Sequence, residues 1–182
     1  EKDYDEFVAH FVAYTNSLVI GDPSDVKTQI WPMAKADLIE EMDAQVQKTI
    51  SEGAVLLAWG VKLERKWYFY APTVLGGVTP DMTSYKEEIF GPVASIIKVK
   101  DLDEAIAVAN NSDFWLCGCV YGDNEKQLKE VASQIETGMV FINKPAGSKA
   151  SLPFGGVKKS WYGKENGPEW LKAFTNKKVI VY

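Results

Sequence analysis

Lys86-Glu87-Glu88-Ile89-Phe90-Gly91-Pro92 puts two carboxylates and a phenyl ring on one short segment. It leads directly into Val93-Ala94-Ser95-Ile96-Ile97-Lys98-Val99. That run is β-branched and apolar, and predicts a buried strand over 93–99, with Gly91-Pro92 as the chain stop ahead of it. Loops at strand ends are where α/β proteins hold ligands. A carboxylate such as Glu88 accepts bonds from ribose hydroxyls, and a ring such as Phe90 packs on a flat heterocycle. The chemistry on offer is therefore the edge of a nucleotide-cofactor site. The plainer reading is a solvated acidic turn, with Phe90 plugging the core.

Other reactive types are sparse. Cys117 and Cys119 are the two cysteines and His10 the one histidine. Two residues apart on a predicted strand, the thiols share a face, and no His, Lys or Arg beside them would depress a thiol pKa. They read as core residues, not as nucleophiles. His10 falls on a predicted helix with no metal ligand or nucleophile spaced to use it, so it reads as a surface residue. Lys144 to Tyr162 lacks periodicity and is rich in Gly and Ser, yet carries the apolar insert Leu152-Pro153-Phe154. A loop of that length in a compact domain is usually functional.

The elements that must position these residues alternate. Helices are predicted over 4–16, with Asp3 as cap and Phe7, Val8, Phe11 and Val12 on one stripe, and over 36–51, with Leu38, Met42, Val46 and Ile50 inward. A short strand is expected over 54–58, an extended stretch over 68–75 and the strand over 93–99. A helix over 102–110 follows, with Leu102, Ile106, Val108 and Ala109 inward, then a strand over 116–121, a helix over 125–135 and a strand over 138–142. A short helix begins at Pro168, and Val179–Tyr182 reads as a terminal strand that must pair at a sheet edge, its own or a neighbour's. The alternation predicts a three-layer α/β/α architecture with a mostly parallel sheet.

The 182 residues suffice for one domain and its core; 46% are apolar and 25% charged, an ordinary globular balance. A net charge of −5 argues against a nucleic-acid surface, which needs clustered Lys and Arg. No apolar run reaches the ~20 residues of a membrane span, no signal-peptide pattern opens the chain, and two cysteines imply no disulfide framework. Cytoplasm is the expected compartment, and no membrane, nucleic-acid or metal partner is expected. Opening at Glu1 without methionine, directly in helical pattern, reads as a cut rather than a native start.

Glu87-Glu88-Ile89-Phe90-Gly91-Pro92 before a strand also resembles the aldehyde dehydrogenase superfamily. The resemblance runs on through Gly21-Asp22-Pro23, Trp31-Pro32-Met33, Gly53-Ala54-Val55-Leu56-Leu57, Pro72-Thr73-Val74-Leu75 and Val78-Thr79-Pro80-Asp81-Met82. It continues in Glu136 to Asn143 and in Leu152-Pro153-Phe154-Gly155-Gly156-Val157-Lys158, and looks most like the succinate-semialdehyde dehydrogenase-like branch. The resemblance implies oxidation of an aldehyde to an acid by a cysteine thiolate, with NAD or NADP taking the hydride. It places the nucleophilic cysteine, the general-base glutamate and the Rossmann-like half upstream, leaving no catalytic residue in this chain. Residues 1–175 would be part of a catalytic domain and 176–182 an oligomerisation strand, in a homodimer or homotetramer of the full-length parent. Glu88 would hold the nicotinamide ribose and Phe90 would bound the nicotinamide. Phe154 would line the substrate tunnel, 143–151 would shape its mouth, and Lys149 or Ser151 would meet an acidic aldehyde. Asn143 would tie the loop through its amide. The isolated chain is expected to be inactive; the competing reading is a non-catalytic remnant that only assembles with a partner subunit, and a related acyl-phosphate reductase would share the architecture.

One departure is systematic. Trp31, Trp59, Trp67, Trp115, Trp161 and Trp170 each fall where the family pattern has glycine. Such positions often need positive φ or close backbone approach, where an indole brings strain or overpacking. The expectation is that the source reads UGA as glycine, with Trp161, just before Gly163, as the sharpest case; genuine tryptophan in a degenerate paralogue is the alternative.

Overall fold

The apolar spacing near the start winds Tyr4–Ser17 into helix α1. The computed structural model describes residues 2–182. Asp3 occupies the cap position, but its side chain makes no capping bond. Val8, Phe11 and Val12 pack inward on Ala58, Val74 and Ile96. Phe7 does not: it is 54% exposed and leans on Phe11 at 5.6 Å between centroids. His10 lies on the exposed face, 3.8 Å from Glu6.

Helix α2 is Ala36–Ser51 and buries Ile39, Met42, Val46 and Thr49. Ile39, rather than the expected Leu38, takes the first inward position; it packs with Met42 and Tyr70. Strands β1 (Val55–Ala58), β2 (Thr73–Gly76) and β3 (Val93–Ser95) form one sheet in that order. β1 runs antiparallel and β3 parallel to the central β2. Val74 of β2 faces the cluster that includes α1, whereas Leu75 beside it joins Val46 of α2. Both are fully buried, so the strand is apolar on both faces and the unit is helix, sheet, helix. Each such side chain contributes about 1.5–3 kcal/mol by burial. β3 is shorter than its apolar run: Ile96 still donates to Leu75 O at 2.7 Å, but the parallel register with β2 ends at Leu75 opposite Ser95. A short helix, α3 (Thr83–Lys86), precedes it.

These residues form one compact unit, running to Asp101; Leu102–Tyr182 forms a second. The second contains α4 (Leu102–Asn110), β4 (Phe114–Trp115), β5 (Cys117–Val120), α5 (Glu125–Gln134), β6 (Met139–Ile142), β7 (Val157–Lys158) and α6 (Gly167–Ala173). β5 and β6 pair in parallel with α5 between them in sequence, a βαβ unit. Asn124 caps α5 by accepting the Gln127 N–H at 3.1 Å. β4 and β7 pair antiparallel. Leu102, expected inward, is 41% exposed, because the helix opens on it. The α/β class therefore holds, with two parallel and two antiparallel ladders. Val179–Tyr182 joins no ladder among the described residues, and all four side chains are exposed; a terminal strand needs a partner to be one. Among the described residues no helix is long and apolar enough to cross a membrane, and no group of three or more His, Cys, Asp or Glu is placed to hold a metal.

Candidate active-site surfaces

Helix α3 fixes where the Glu87-Glu88 segment starts. Glu52, at the end of α2, accepts the Thr83 N–H at 2.6 Å and the Thr83 hydroxyl at 2.9 Å. These bonds, first the one from the backbone N–H, hold the Glu52 carboxyl below its usual value. The Glu87 N–H then donates to Thr83 O at 2.9 Å and ends the turn. Glu87 is taken up structurally, accepting from Gln45 Nε2 at 3.0 Å with Lys48 at 4.0 Å. Gln45 also donates to the Glu88 carbonyl at 3.3 Å. Ile89 turns into the core against Ile39, Met42 and Tyr70.

With Ile89 inside and Glu87 occupied, Glu88 and Phe90 stand outward. Phe90 is 70% exposed, so it does not plug the core. Glu88 and Phe90 share a groove of about 230 Å³ with Leu38, Glu41, Met42 and Gln45 of α2. Gly91 lets the chain pass this close: a Cβ there would lie 2.0 Å from Met42 Sδ. Pro92 then accepts the Thr73 N–H at 2.8 Å and locks the segment to β2. Gln45 was missed by sequence reasoning; an exposed polar helix residue carries no signal of its own.

The second unit presents the other predicted residues. Phe154 is half-buried and exchanges two backbone bonds of 2.7 Å with Glu165. Lys164 donates to Gly155 O at 2.7 Å and Gly156 O at 3.0 Å. Gly167 N donates to Ala150 O at 3.0 Å, and Asn166 to Ser148 Oγ at 3.1 Å. Residues 164–167 thus clasp the loop shut, a feature with no periodic signature in the sequence. Gly138 passes against it so closely that a Cβ would meet Gly155 O at 2.0 Å. Phe154 and Lys149 line a cavity of about 260 Å³ with Met139, Phe141 and Leu152; Ser151 is exposed and outside that lining. Asn143, at φ 50°, accepts from Gly122 N–H at 3.0 Å and donates to Gly122 O at 2.9 Å, tying the loop through its amide as expected. Glu88 and Phe90 are brought together in the first unit, and Phe154 and Lys149 in the second.

Cys117 is half-buried and Cys119 exposed, both free. Burial, then the neighbouring Cys119, pushes the Cys117 thiol up, opposite to what a reactive thiolate needs. Among the tryptophans, Trp59 and Trp67 hold left-handed backbone, at φ 55° and 73°. Trp161, the sharpest case from sequence, does not; it packs edge-on to Phe154 at 6.0 Å.

The family model for the aldehyde dehydrogenase family matches residues 1–180. The chain is 44% identical over 97% of its length to the succinate-semialdehyde dehydrogenase [NADP(+)] of Deinococcus radiodurans, of which it covers 37%. It is 42% identical to the succinate semialdehyde dehydrogenase [NAD(P)+] Sad of Escherichia coli, covering 38% of that protein and aligning over 96% of its own length. Its structure matches, over 100% of the chain, 40% of a succinic semialdehyde dehydrogenase from Streptococcus pyogenes solved with NADP+, at TM-score 0.95 and 37% identity. It also matches 36% of a Bacillus cereus aldehyde dehydrogenase solved with NAD+, at TM-score 0.92 and 35% identity over 97% of the chain. The chain thus spans about two-fifths of the length of the relatives it matches, and it belongs to the aldehyde dehydrogenase family.

Proposed function

We propose that this chain is the carboxyl-terminal part of an NAD(P)-dependent aldehyde dehydrogenase that oxidises succinate semialdehyde to the acid through a cysteine thioester. The nucleophilic cysteine and general-base glutamate lie outside it, and the isolated chain is inactive. The observation that carries this reading is the pairing of Glu88 with Phe90 in one outward groove, against a helix that occupies Glu87 but leaves Glu88 exposed. About 230 Å³ fits one end of a dinucleotide, a riboside with its ring, and not the whole molecule. When bound, the nicotinamide accepts the hydride. Glu88 holds the ribose hydroxyls as acceptor, and Phe90 limits where the flat ring lies. Phe154 lines the aldehyde's path, and Lys149 or Ser151 meets the far carboxylate of the substrate.

The chain's share of the work is positioning, which suits a segment without a competent nucleophile. A second reading, a module that serves subunit assembly alone, is favoured by the exposed apolar tail Val179–Tyr182. In the first reading the same tail pairs with a neighbouring subunit of a homodimer or homotetramer. The full-length protein assayed with succinate semialdehyde and each of NAD and NADP separates the two. Acid formation that a thiol reagent abolishes supports the enzyme. A folded full-length protein without turnover, and without a cysteine upstream of Glu1, supports the assembly module.

A further inference from the structure

Where Glu88 stands is decided from another element. Met42 and Val46 anchor helix α2, both fully buried. Gln45 leaves the same helix toward the 87–90 segment, and its amide has two protons to give. It donates to Glu87 Oε2 at 3.0 Å and to Glu88 O at 3.3 Å. The backbone of the same residue is tied in as well. Gln45 O accepts the Thr49 hydroxyl at 2.7 Å, and the oxygen of that hydroxyl accepts the Ser84 N–H at 3.1 Å. Both ends of the stretch 84–88 are therefore fixed to one turn of one helix. These bonds take the Glu88 main chain and leave its carboxylate outside them, in the groove with Phe90.

The neutrality of the donor matters. An ammonium at the same place would also reach both oxygens, but its charge would draw in the Glu88 carboxylate. An amide holds the main chain without claiming that charge. We propose that Gln45 is a positioning residue for the cofactor edge: it fixes the Glu88 main chain and occupies Glu87, so that one free carboxylate meets the ribose from one place. This rests on the reading of Glu88 as the ribose acceptor, because the effect of Gln45 runs through Glu88.

Single-turnover hydride transfer in the full-length protein, with Gln45→Met, Glu88→Gln and the double variant, tests this. Methionine keeps the length of the side chain and has no proton to give. Gln45→Met should slow hydride transfer about tenfold, less than the loss that a whole-ångström displacement brings, and leave the aldehyde KM unchanged. In the Glu88→Gln background the same substitution should cost less than about twofold more, since residues that act through one another are not additive. A merely structural loss would appear in full in both backgrounds and would overturn the proposal. Wild-type transfer in Gln45→Met beside an impaired Glu88→Gln would overturn it too. Wild-type transfer in Glu88→Gln would instead remove the reading on which it rests. Gln45→Lys keeps a donor to both oxygens and so guards against a loss of fold. It should also slow transfer, by holding the Glu88 carboxylate; a wild-type rate there would overturn the need for a neutral donor.

Discussion

Trp59 and Trp67 bracket one surface excursion between β1 and the Met33–Tyr68 bridge, and both enter it in left-handed backbone, at φ 55° and 73°. A bulky L-residue pays roughly 1–2 kcal/mol for that conformation, and glycine pays none. Neither indole recovers the cost by deep burial, since both are about half exposed, at 47% and 49%. We infer that these two sites are shaped for glycine, in keeping with a source that decodes UGA as glycine. Trp59→Gly and Trp67→Gly should each raise the urea midpoint, by roughly 1 kcal/mol in stability. A lower midpoint for both would refute the inference, and UGG codons at the six tryptophan positions would end the recoding account.

Trp115 is the harder case. It is buried, its indole N–H has no acceptor among the described residues, and the Lys158 ammonium lies 3.6 Å from its ring centroid. Deleting a well-fitted buried indole costs about 3–5 kcal/mol. An unpaired buried donor costs about 1–3 kcal/mol. Trp115→Gly should therefore destabilise far less than the usual indole deletion. Guanidinium denaturation checks this, and a loss near 4 kcal/mol would show an ordinary core tryptophan.

The acid limb of stability should report Glu52. Its carboxyl is held below its ordinary value of 4.5 by the Thr83 N–H and hydroxyl. A lowered folded-state pKa gives stability that is present above 4.5 and lost as pH falls through the folded value. Glu52→Gln should flatten the stability profile below pH 4.5 and loosen amide exchange in 83–88. An unchanged acid limb would show that the Thr83 bonds contribute no linkage.

Lys164 closes the Phe154 loop by holding two carbonyls at once. Lys164→Met should speed amide exchange over 147–156 several-fold, while Lys164→Arg keeps part of the protection. Equal exchange in the Met variant would leave the Phe154–Glu165 bonds as the whole clasp.

Legibility followed the length and strength of each pattern. The sixteen-residue α2 was bounded by its own periodicity, although Ile39 displaced Leu38 because Met33 and Tyr70 meet the helix on that side. The strand over 93–99 was over-read, since pairing, not composition, sets strand length, and the parallel register with β2 ends at Leu75 opposite Ser95. Two-residue strands such as β4 and β7 leave no pattern to read. At the candidate site, residue types alone left the Glu-Glu-Ile-Phe segment open between a cofactor edge and a solvated acidic turn, and the family resemblance favoured the first. Which carboxylate stays available was not legible, because it depends on Gln45 and Lys48, some forty residues away.

Purified chain should show no aldehyde oxidation with NAD or NADP, and Cys117→Ser and Cys119→Ser should leave that unchanged. Turnover abolished by either substitution would make one of these thiols a nucleophile, against its raised pKa.

We propose that Glu88 holds the cofactor's reactive end. Glu88→Gln in the full-length protein keeps the shape of the side chain but weakens its grip on two ribose hydroxyls. A nicotinamide loosened by about 1 Å can cost on the order of 100-fold in rate. Single-turnover hydride transfer, followed by reduced-nicotinamide absorbance, should fall by roughly that factor with little change in aldehyde binding. Wild-type hydride transfer in the Gln variant would contradict the account and remove Glu88 from the site.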